Sequence, residues 1–272
     1  MFNTPIFQLK NISIKLEYKN PAGSIKDRPA LFMIQEAIRK GYKEIVEVTS
    51  GNTGIALAFY ANKFKIKATI FMPEGFSVER QKLLKLYGAN LILTKGNIAN
   101  SLNEALSYVK ENNAFYTDQF SNPINSKSQE ITAYEILNQV KKIDYFVAGV
   151  GSGGTISGVA NILKPLGVKI IAVESKNSPV IYNKLKNKNL PLKPHKIQGI
   201  GAGFITDITN LDLIDDVVLI EDDEAVEFTK KLPKIGITGG ISTAANILAA
   251  QTLKGNIVTI APDGIERYIS VL

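Results

Sequence analysis

Residues 144–155 read Asp144-Tyr145-Phe146-Val147-Ala148-Gly149-Val150-Gly151-Ser152-Gly153-Gly154-Thr155. An apolar run rich in aromatic and β-branched residues ends in four glycines within six positions, and a helical pattern follows. The segment reads as a strand, a tight turn and the start of a helix. Closely spaced glycines let backbone N–H groups approach an anion, and a helix N-terminus adds a favourable partial positive charge. Ser152 and Thr155 add hydroxyl donors, which makes the loop a phosphate cradle. Gly149, Gly151 and Gly154 also satisfy G-x-G-x-x-G, and Glu174 lies 20 residues beyond Gly154. On this loop alone a dinucleotide and another phosphate ligand are both open readings.

Outward from this segment, apolar runs alternate with amphipathic stretches. Ile45–Val48 precedes a helix from about Asn52 to Phe64, and Ala68–Met72 precedes a helix around Ser77–Tyr87. In that helix Val78, Leu83, Leu84, Leu86 and Tyr87 recur close to a 3.6-residue period, with Ser77-Val78-Glu79-Arg80 as its capping sequence. Leu91–Leu93 is the next strand. A second series runs through Tyr145–Ala148, Lys169–Val173, Val217–Ile220 and Asn256–Ile260. Strand–helix alternation with short loops predicts an α/β fold whose parallel sheets are covered by helices on both faces. The break near Asn122-Pro123 predicts two α/β domains of three layers each, with the active site in the cleft between them. The smaller comprises residues 20–122, the larger residues 1–19 and 123–272. The Lys-, Asn- and Pro-rich stretch 177–194 reads as a surface excursion. In open α/β sheets ligands bind at the carboxyl ends of the strands, which directs attention to the loops that follow them.

Composition removes several chemistries. The 272 residues include no Cys and one His, His195, which excludes cysteine nucleophiles, disulfides, thiolate metal sites and multi-His metal centres. A metal held by carboxylates alone stays open on composition, and no metal site is expected. The net charge of +7 comes from lysines spread along the chain, since the arginines are only Arg28, Arg39, Arg80 and Arg267. Scattered lysines without interleaved aromatics describe a solvated surface and predict no nucleic-acid partner. The N-terminal residues lack the pattern of a signal peptide and no stretch of 18 apolar residues occurs, so a cytoplasmic protein with no membrane partner is expected.

Two further loops carry chemistry. Thr49-Ser50-Gly51-Asn52-Thr53-Gly54 offers three hydroxyls, an amide and helix-terminal N–H groups without any charge. It reads either as a well-capped helix start or as a carboxylate cradle. Asn20-Pro21-Ala22-Gly23-Ser24-Ile25-Lys26-Asp27-Arg28 is a turn that enters a helix. Lys26 then sits near a helix N-terminus, where the dipole disfavours an ammonium ion. So placed, it is a candidate amine nucleophile for a Schiff base; among 28 lysines, a surface charge is the plain alternative. In combination, a poised lysine, a carboxylate cradle and a phosphate cradle describe pyridoxal phosphate holding an amino acid. NAD would leave Lys26 and the cradle unexplained.

At these residues the sequence resembles the fold-type II pyridoxal-phosphate enzymes, whose architecture is that of the tryptophan synthase β-subunit, and specifically the cysteine synthases (O-acetylserine sulfhydrylases). The resemblance rests on N-P-A-G-S-I-K-D-R at 20–28, T-S-G-N-T-G at 49–54, G-V-G-S-G-G-T at 149–155 and I-Q-G-I-G-A-G-F at 197–204. It runs from Asn3-Thr4-Pro5 to Glu266-Arg267-Tyr268. The resemblance implies that Lys26 is the catalytic, cofactor-bearing lysine and that Asn52 meets the pyridine 3′-oxygen. Gly151, Ser152, Gly153, Gly154 and Thr155 hold the phosphate, and Ser242 faces the pyridine nitrogen. Thr49, Ser50, Asn52, Thr53 and Gln119 take the substrate carboxylate, and Gly199 faces the substrate amine. Glu174 becomes a strand-end acid rather than a ribose ligand.

The activity so implied is β-replacement, converting O-acetylserine and sulfide to cysteine and acetate. An O-phosphoserine sulfhydrylase, a cystathionine β-synthase-like enzyme and a sulfide-releasing cysteine lyase share the cofactor, and a non-catalytic binding protein shares the scaffold. A homodimer is implied, with the C-terminus of serine acetyltransferase as a partner. The chain departs from the family pattern at Ala22, at Thr132-Ala133-Tyr134-Glu135, at Ser242-Thr243-Ala244 and at Asp263-Gly264-Ile265. It would be a trimmed member, ending at Leu272 soon after Arg267-Tyr268. His195 reads as structural or solvent-facing.

Overall fold

A computed structural model describes residues 2–75 and 78–272. The chain divides into two compact units, one made of Met1–Ile25 with Ser126–Leu272 and the other of Lys26–Asn125.

In the first unit, strands β1 (Ile6–Leu9) and β2 (Ile12–Leu16) form a hairpin. In the second, α1 (Asp27–Arg39) leads to β3 (Glu44–Val48), α2 (Asn52–Phe64), β4 (Lys67–Pro73), α3 (Val78–Leu86), β5 (Asn90–Thr94), α4 (Ile98–Asn112) and the short β6 (Phe115–Tyr116). The chain returns to the first unit through α5 (Ile124–Gln139), then β7 (Tyr145–Gly149), α6 (Gly154–Leu163), β8 (Lys169–Ser175) and α7 (Val180–Lys186). The closing elements are β9 (Asp216–Ile220), α8 (Asp222–Thr229), α9 (Ile241–Gln251) and β10 (Ile257–Ala261). The expected strands and the helix over Asn52–Phe64 are all present. The capping residue expected at Ser77 lies outside the described residues.

The six-stranded sheet of the first unit has the order β1-β2-β10-β7-β8-β9, parallel throughout except for the β1–β2 hairpin. Its alternating side chains feed two cores. Phe146, Ala148, Ile170, Ala172 and Val258 join Ala133 and Ile136 of α5 and Ile156 and Val159 of α6. Val147, Ile171 and Val173 join Ala225 of α8 and Ala244, Ala245 and Ile247 of α9 on the other face. A sheet covered on both sides needs strands that are apolar at every position, which is why β7 and β8 read as continuous runs. The second unit carries a four-stranded parallel sheet, order β5-β4-β3-β6. Ala105 of α4 packs with Val46, Val48 and Phe71, and α1 and α2 pack together and onto the same sheet. Both units are therefore helix–sheet–helix layers, as the alternation predicts.

Two elements carry no clear signal in the sequence. The β1–β2 turn passes through Lys10 at φ +53°, a left-handed position without the usual Gly or Asn, and β6 has only two residues. Phe146 is fully buried between β7 and the helices of its face. Truncation to Ala removes a large aromatic from a closed core, so Phe146→Ala is expected to cost about 3–5 kcal/mol in urea denaturation.

Candidate functional site

Each unit holds some of the expected residues. In the first unit, β7 ends at Gly149, whose N–H donates to Asn246 Oδ1 at 2.7 Å, while Asn246 Nδ2 donates to the carbonyl of Ile260 at 2.8 Å. The buried amide of α9 thereby fixes the exit of β7 against β10. Val150 N–H donates to Val173 O (3.1 Å), and Gly201 N–H donates to Val150 O (2.8 Å). The loop then turns through Gly153 at φ +79°, the residue that precedes the first turn of α6. A side chain at Gly153 would run into Thr209, and one at Gly151 would come within 2.5 Å of the carbonyl of Gly199. Space excludes a side chain at both positions, and at Gly153 the left-handed backbone does so as well.

Thr206 Oγ1 donates to Ser152 O at 2.7 Å, holding the loop from behind. The first N–H groups of α6 have no intrahelical acceptor. With the hydroxyls of Ser152 and Thr155 they form a donor set free of formal charge at the positive end of a helix dipole. That is the chemistry a phosphate monoester requires, and a cradle that any Cβ would fill fits it sterically. The same unit brings in two more of the expected residues. Ser242, buried in the first turn of α9, has its Oγ 4.0 Å from where a Cβ on Gly199 would stand. Gly199 itself takes φ +94°.

In the second unit, Lys26 occupies the position just before α1, and Asp27 beside it accepts a hydrogen bond from Tyr60 of α2 at 3.2 Å. Thr49 N–H donates to Phe71 O (3.0 Å), and Gly51 N–H donates to Thr49 Oγ1 (3.1 Å), which leaves the hydroxyl proton of Thr49 to donate elsewhere. Arg80 Nη1 of α3 donates to Ser50 O at 3.1 Å. Asn52 opens α2. Thr53 Oγ1 donates to Gln119 Oε1 at 2.6 Å, so the Gln119 Nε2 donors face other acceptors. Thr49, Thr53 and Gln119 are thus drawn into one neutral donor cluster at the N-terminus of α2, the arrangement that suits a carboxylate.

Several residues outside the expected set shape these parts. The chain entering Lys26 is braced by the C-terminal segment: Ile25 N–H donates to Pro262 O (2.8 Å), Arg267 Nη2 donates to Ala22 O (2.5 Å), and Gln129 Nε2 donates to Ile25 O (3.2 Å). Asp263 O accepts from Gly240 N–H (2.9 Å), and its carboxylate accepts from Tyr268 Oη (2.5 Å), so one segment also supports the entry to α9. Glu174, placed by spacing where a ribose ligand would be, accepts from the N–H groups of Ile181 and Tyr182 at 2.9 Å each; both oxygens cap α7. His195 Nε2 bonds the carbonyl of Gly201 at 2.9 Å and serves that loop structurally. Glu47, on β3, is almost fully buried, and burial pushes its carboxyl up to about 7, with Asp118 adding in the same direction and hydrogen bonds from Thr117, Val48 and Gln119 opposing. Of these, His195 is expected from sequence to be structural or solvent-facing, while the spacing of Glu174 taken alone points to a different role. Among the described residues no group of three or more His, Asp or Glu could hold a metal ion, and no helix is long and apolar enough to cross a membrane.

A helix-capped phosphate loop on a parallel sheet, a neutral carboxylate cradle on a second sheet and a lysine at the head of a helix define a pyridoxal-phosphate enzyme of the two-sheet α/β type. The chain belongs to the family described as pyridoxal-phosphate dependent enzyme, whose sequence profile matches residues 1–263. It is 42% identical over 293 aligned residues to a cysteine synthase of Staphylococcus aureus (strain Mu50 / ATCC 700699), covering 98% of this chain and 93% of that protein. The solved cysteine synthase of Entamoeba histolytica superposes with a TM-score of 0.90 at 38% identity, covering 98% of this chain and 87% of that one. A solved hydrogen sulfide-producing enzyme of Fusobacterium nucleatum also superposes at 0.90 and 38% identity, with 98% and 95% covered.

A carboxyl whose folded pKa exceeds its unfolded one favours the folded state in its protonated form, so stability falls as pH rises between the two values. For Glu47 that window runs from the ordinary 4.5 to about 7; Glu174 is shifted in the same direction by burial. Melting temperature is therefore expected to decline from pH 5 to pH 7.5, with a shallower decline in Glu47→Gln, as followed by circular dichroism.

Proposed function

We propose that this enzyme makes L-cysteine from O-acetyl-L-serine and sulfide, releasing acetate, with pyridoxal phosphate carried on Lys26. The observation that carries the reading is the sorting of chemistry among its loops. Two anion-binding loops use neutral donors only, one suited to a phosphate and the other to a carboxylate, and a lysine stands at the head of a helix. Resemblance to proteins named cysteine synthase supports the choice of substrates.

In this reading Gly151, Ser152, Gly153, Gly154 and Thr155 hold the cofactor phosphate, Asn52 binds the ring oxygen, and Ser242 accompanies the ring nitrogen. Thr49, Ser50, Asn52, Thr53 and Gln119 hold the substrate carboxylate, and Gly199 faces its amine. When bound, the cofactor supplies the electron sink for charge that develops at the substrate α-carbon. Lys26 would serve as the base that removes the substrate α-proton. Acetate leaves from the β-carbon, sulfide adds there, and Lys26 returns the proton. Ser242 is neutral, so it does not hold the ring nitrogen protonated as a carboxylate would. That favours β-elimination over transamination. The chain supplies base, orientation and anion binding without a histidine or a thiol, in keeping with its composition.

The reading extends to a cytoplasmic homodimer. It also allows the C-terminus of serine acetyltransferase as a partner, since a cradle for a substrate carboxylate has the chemistry to take the terminal carboxylate of a peptide.

Reduction of the loaded enzyme with borohydride, followed by peptide mapping, is expected to find the cofactor fixed to Lys26. Lys26→Ala should lose both that attachment and at least 10³-fold in kcat, the scale of removing an essential catalytic group. Release of sulfide from cysteine in preference to its synthesis would move the assignment to a lyase, and turnover of O-phosphoserine alone would move it to the sister sulfhydrylase.

A further inference from the structure

Glu47 lies one residue from the end of β3, two positions before Thr49, and belongs to none of the roles above. Its carboxylate is 1% exposed and fully hydrogen-bonded. Oε1 accepts the N–H of Val48 at 2.9 Å; Oε2 accepts Thr117 Oγ1 at 2.7 Å and the N–H of Gln119 at 3.1 Å. One carboxylate thereby joins the strand that delivers Thr49 to the turn that delivers Gln119. The other contacts of Gln119 complete a clamp: its carbonyl accepts from Asn125 Nδ2 at 2.8 Å and its Oε1 from Thr53 at 2.6 Å.

We propose that Glu47 is a positioning residue for the amino-acid substrate, setting the spacing of the two arms of the carboxylate cradle, and that protonation of Glu47 loosens this hold. The inference rests on the reading of Thr49, Thr53 and Gln119 as that cradle.

The geometry contains two hydrogen-bond arrangements. Thr117 Oγ1 lies within reach of two acceptors, Glu47 Oε2 at 2.7 Å and Val46 O at 3.1 Å, but a hydroxyl has one proton. With Glu47 ionised, that proton goes to the carboxylate, and Gln119 N–H makes a charge-assisted bond. With Glu47 protonated, its O–H donates to Thr117 Oγ1, Thr117 turns to Val46 O, and Gln119 N–H is left with a neutral oxygen, a weaker acceptor.

Neighbouring groups place the exchange near neutrality. Asp118, in the same turn, is the charge acting most strongly on Glu47 and has the same sign. On β6 the neighbour is the Tyr116 phenol, itself pushed up by burial and by Glu47. The register partner on β4 is the apolar Ile70; of the helices packed on β3, α1 contributes the buried Asp27 and Arg28, α2 the buried Tyr60 and α4 Tyr108. Burial dominates and brings Glu47 up to about 7. A bound substrate carboxylate repels the ionised form as well. That repulsion acts from beyond the Gln119 side chain, whereas the clamp acts through direct bonds of 2.7–3.1 Å.

The test uses the loaded enzyme between pH 5.8 and 7.8. In the wild type, KM for O-acetylserine is expected to rise roughly three- to tenfold as pH falls across this range, the scale of losing one charge-assisted bond. Glu47→Gln, which presents a neutral oxygen at every pH, should hold KM at the high value throughout, with kcat within about twofold of wild type. Thr117→Val, which removes only the hydroxyl, provides a second variant with a weakened pH response. The 15N–1H resonance of the Gln119 amide should titrate with a midpoint near 7 in the wild type and stay flat in Glu47→Gln. This readout needs no turnover, so it decides on the clamp even if the enzyme prefers another amino acid. A Gln119 amide that does not move with pH, a KM that falls on acidification, or a Glu47→Gln profile parallel to wild type would each overturn the proposal.

Discussion

The amide of Asn246 is the constraint on which the phosphate loop depends. A buried side chain of α9 satisfies the N–H at the last residue of β7 and a carbonyl of β10 at once, at 2.7 and 2.8 Å. Without the amide, two buried polar groups would be stranded at about 1–3 kcal/mol each. With it, the strand exit has one direction, the four glycines turn within a fixed frame, and α6 begins where its N-terminal N–H groups are needed. A side chain at Gly151 would meet the carbonyl of Gly199 at 2.5 Å. The two loops have to be shaped together, and the bond from Gly201 to Val150 holds them so.

The second unit solves a different problem. The cradle proposed there offers an anion hydroxyls, an amide and helix N–H groups, and a buried carboxylate stands behind them. A cation there would bind a carboxylate more strongly but would offer little control over its orientation, whereas neutral donors act only along defined directions. Glu47 supplies the rigidity such donors need by tying Val48, Thr117 and Gln119 to one group. The cost is a buried acid held near neutral pH, which couples the cradle to protons.

Sequence periodicity exposed most of the architecture because both sheets are covered on two faces, and such strands are apolar at every position. β4, β7, β8 and β10 carry runs of Ile, Val, Phe and Ala, and β3 keeps Ile45, Val46 and Val48 although Glu44 and Glu47 interrupt it. The β1–β2 hairpin escaped notice because its turn uses Lys10 and Asn11 in place of a glycine pair, and β6 because two residues have no period. The three chemical loops were visible because glycine, hydroxyl and lysine cluster there within a few positions. Residues that support those loops from a distance were not visible. Asn246 sits within an alanine-rich helix, Arg267 reaches Ala22 across 245 positions, and Glu47 resembles any acid in a strand until burial and its three donors are known. A local pattern cannot encode a contact made between distant segments. Glu174 shows the converse: its spacing from the glycine loop matched a nucleotide-binding pattern, while its oxygens were required to cap α7.

The distribution of charge gives these observations a common physical basis. The chain carries 32 Lys and Arg, yet neither anion loop contains one. In the proposed reading Lys26 acts as a free base, a form that neighbouring cations stabilise and a strong anion beside it suppresses. Binding an anion with neutral donors fixes its orientation along defined directions. It also leaves the surface lysines to raise the local concentration of anionic substrates without dictating how those substrates sit. In such a design specificity has to come from geometry, which is why buried groups that act only by holding other groups, Asn246 in one unit and Glu47 in the other, matter as much as those that meet the substrate.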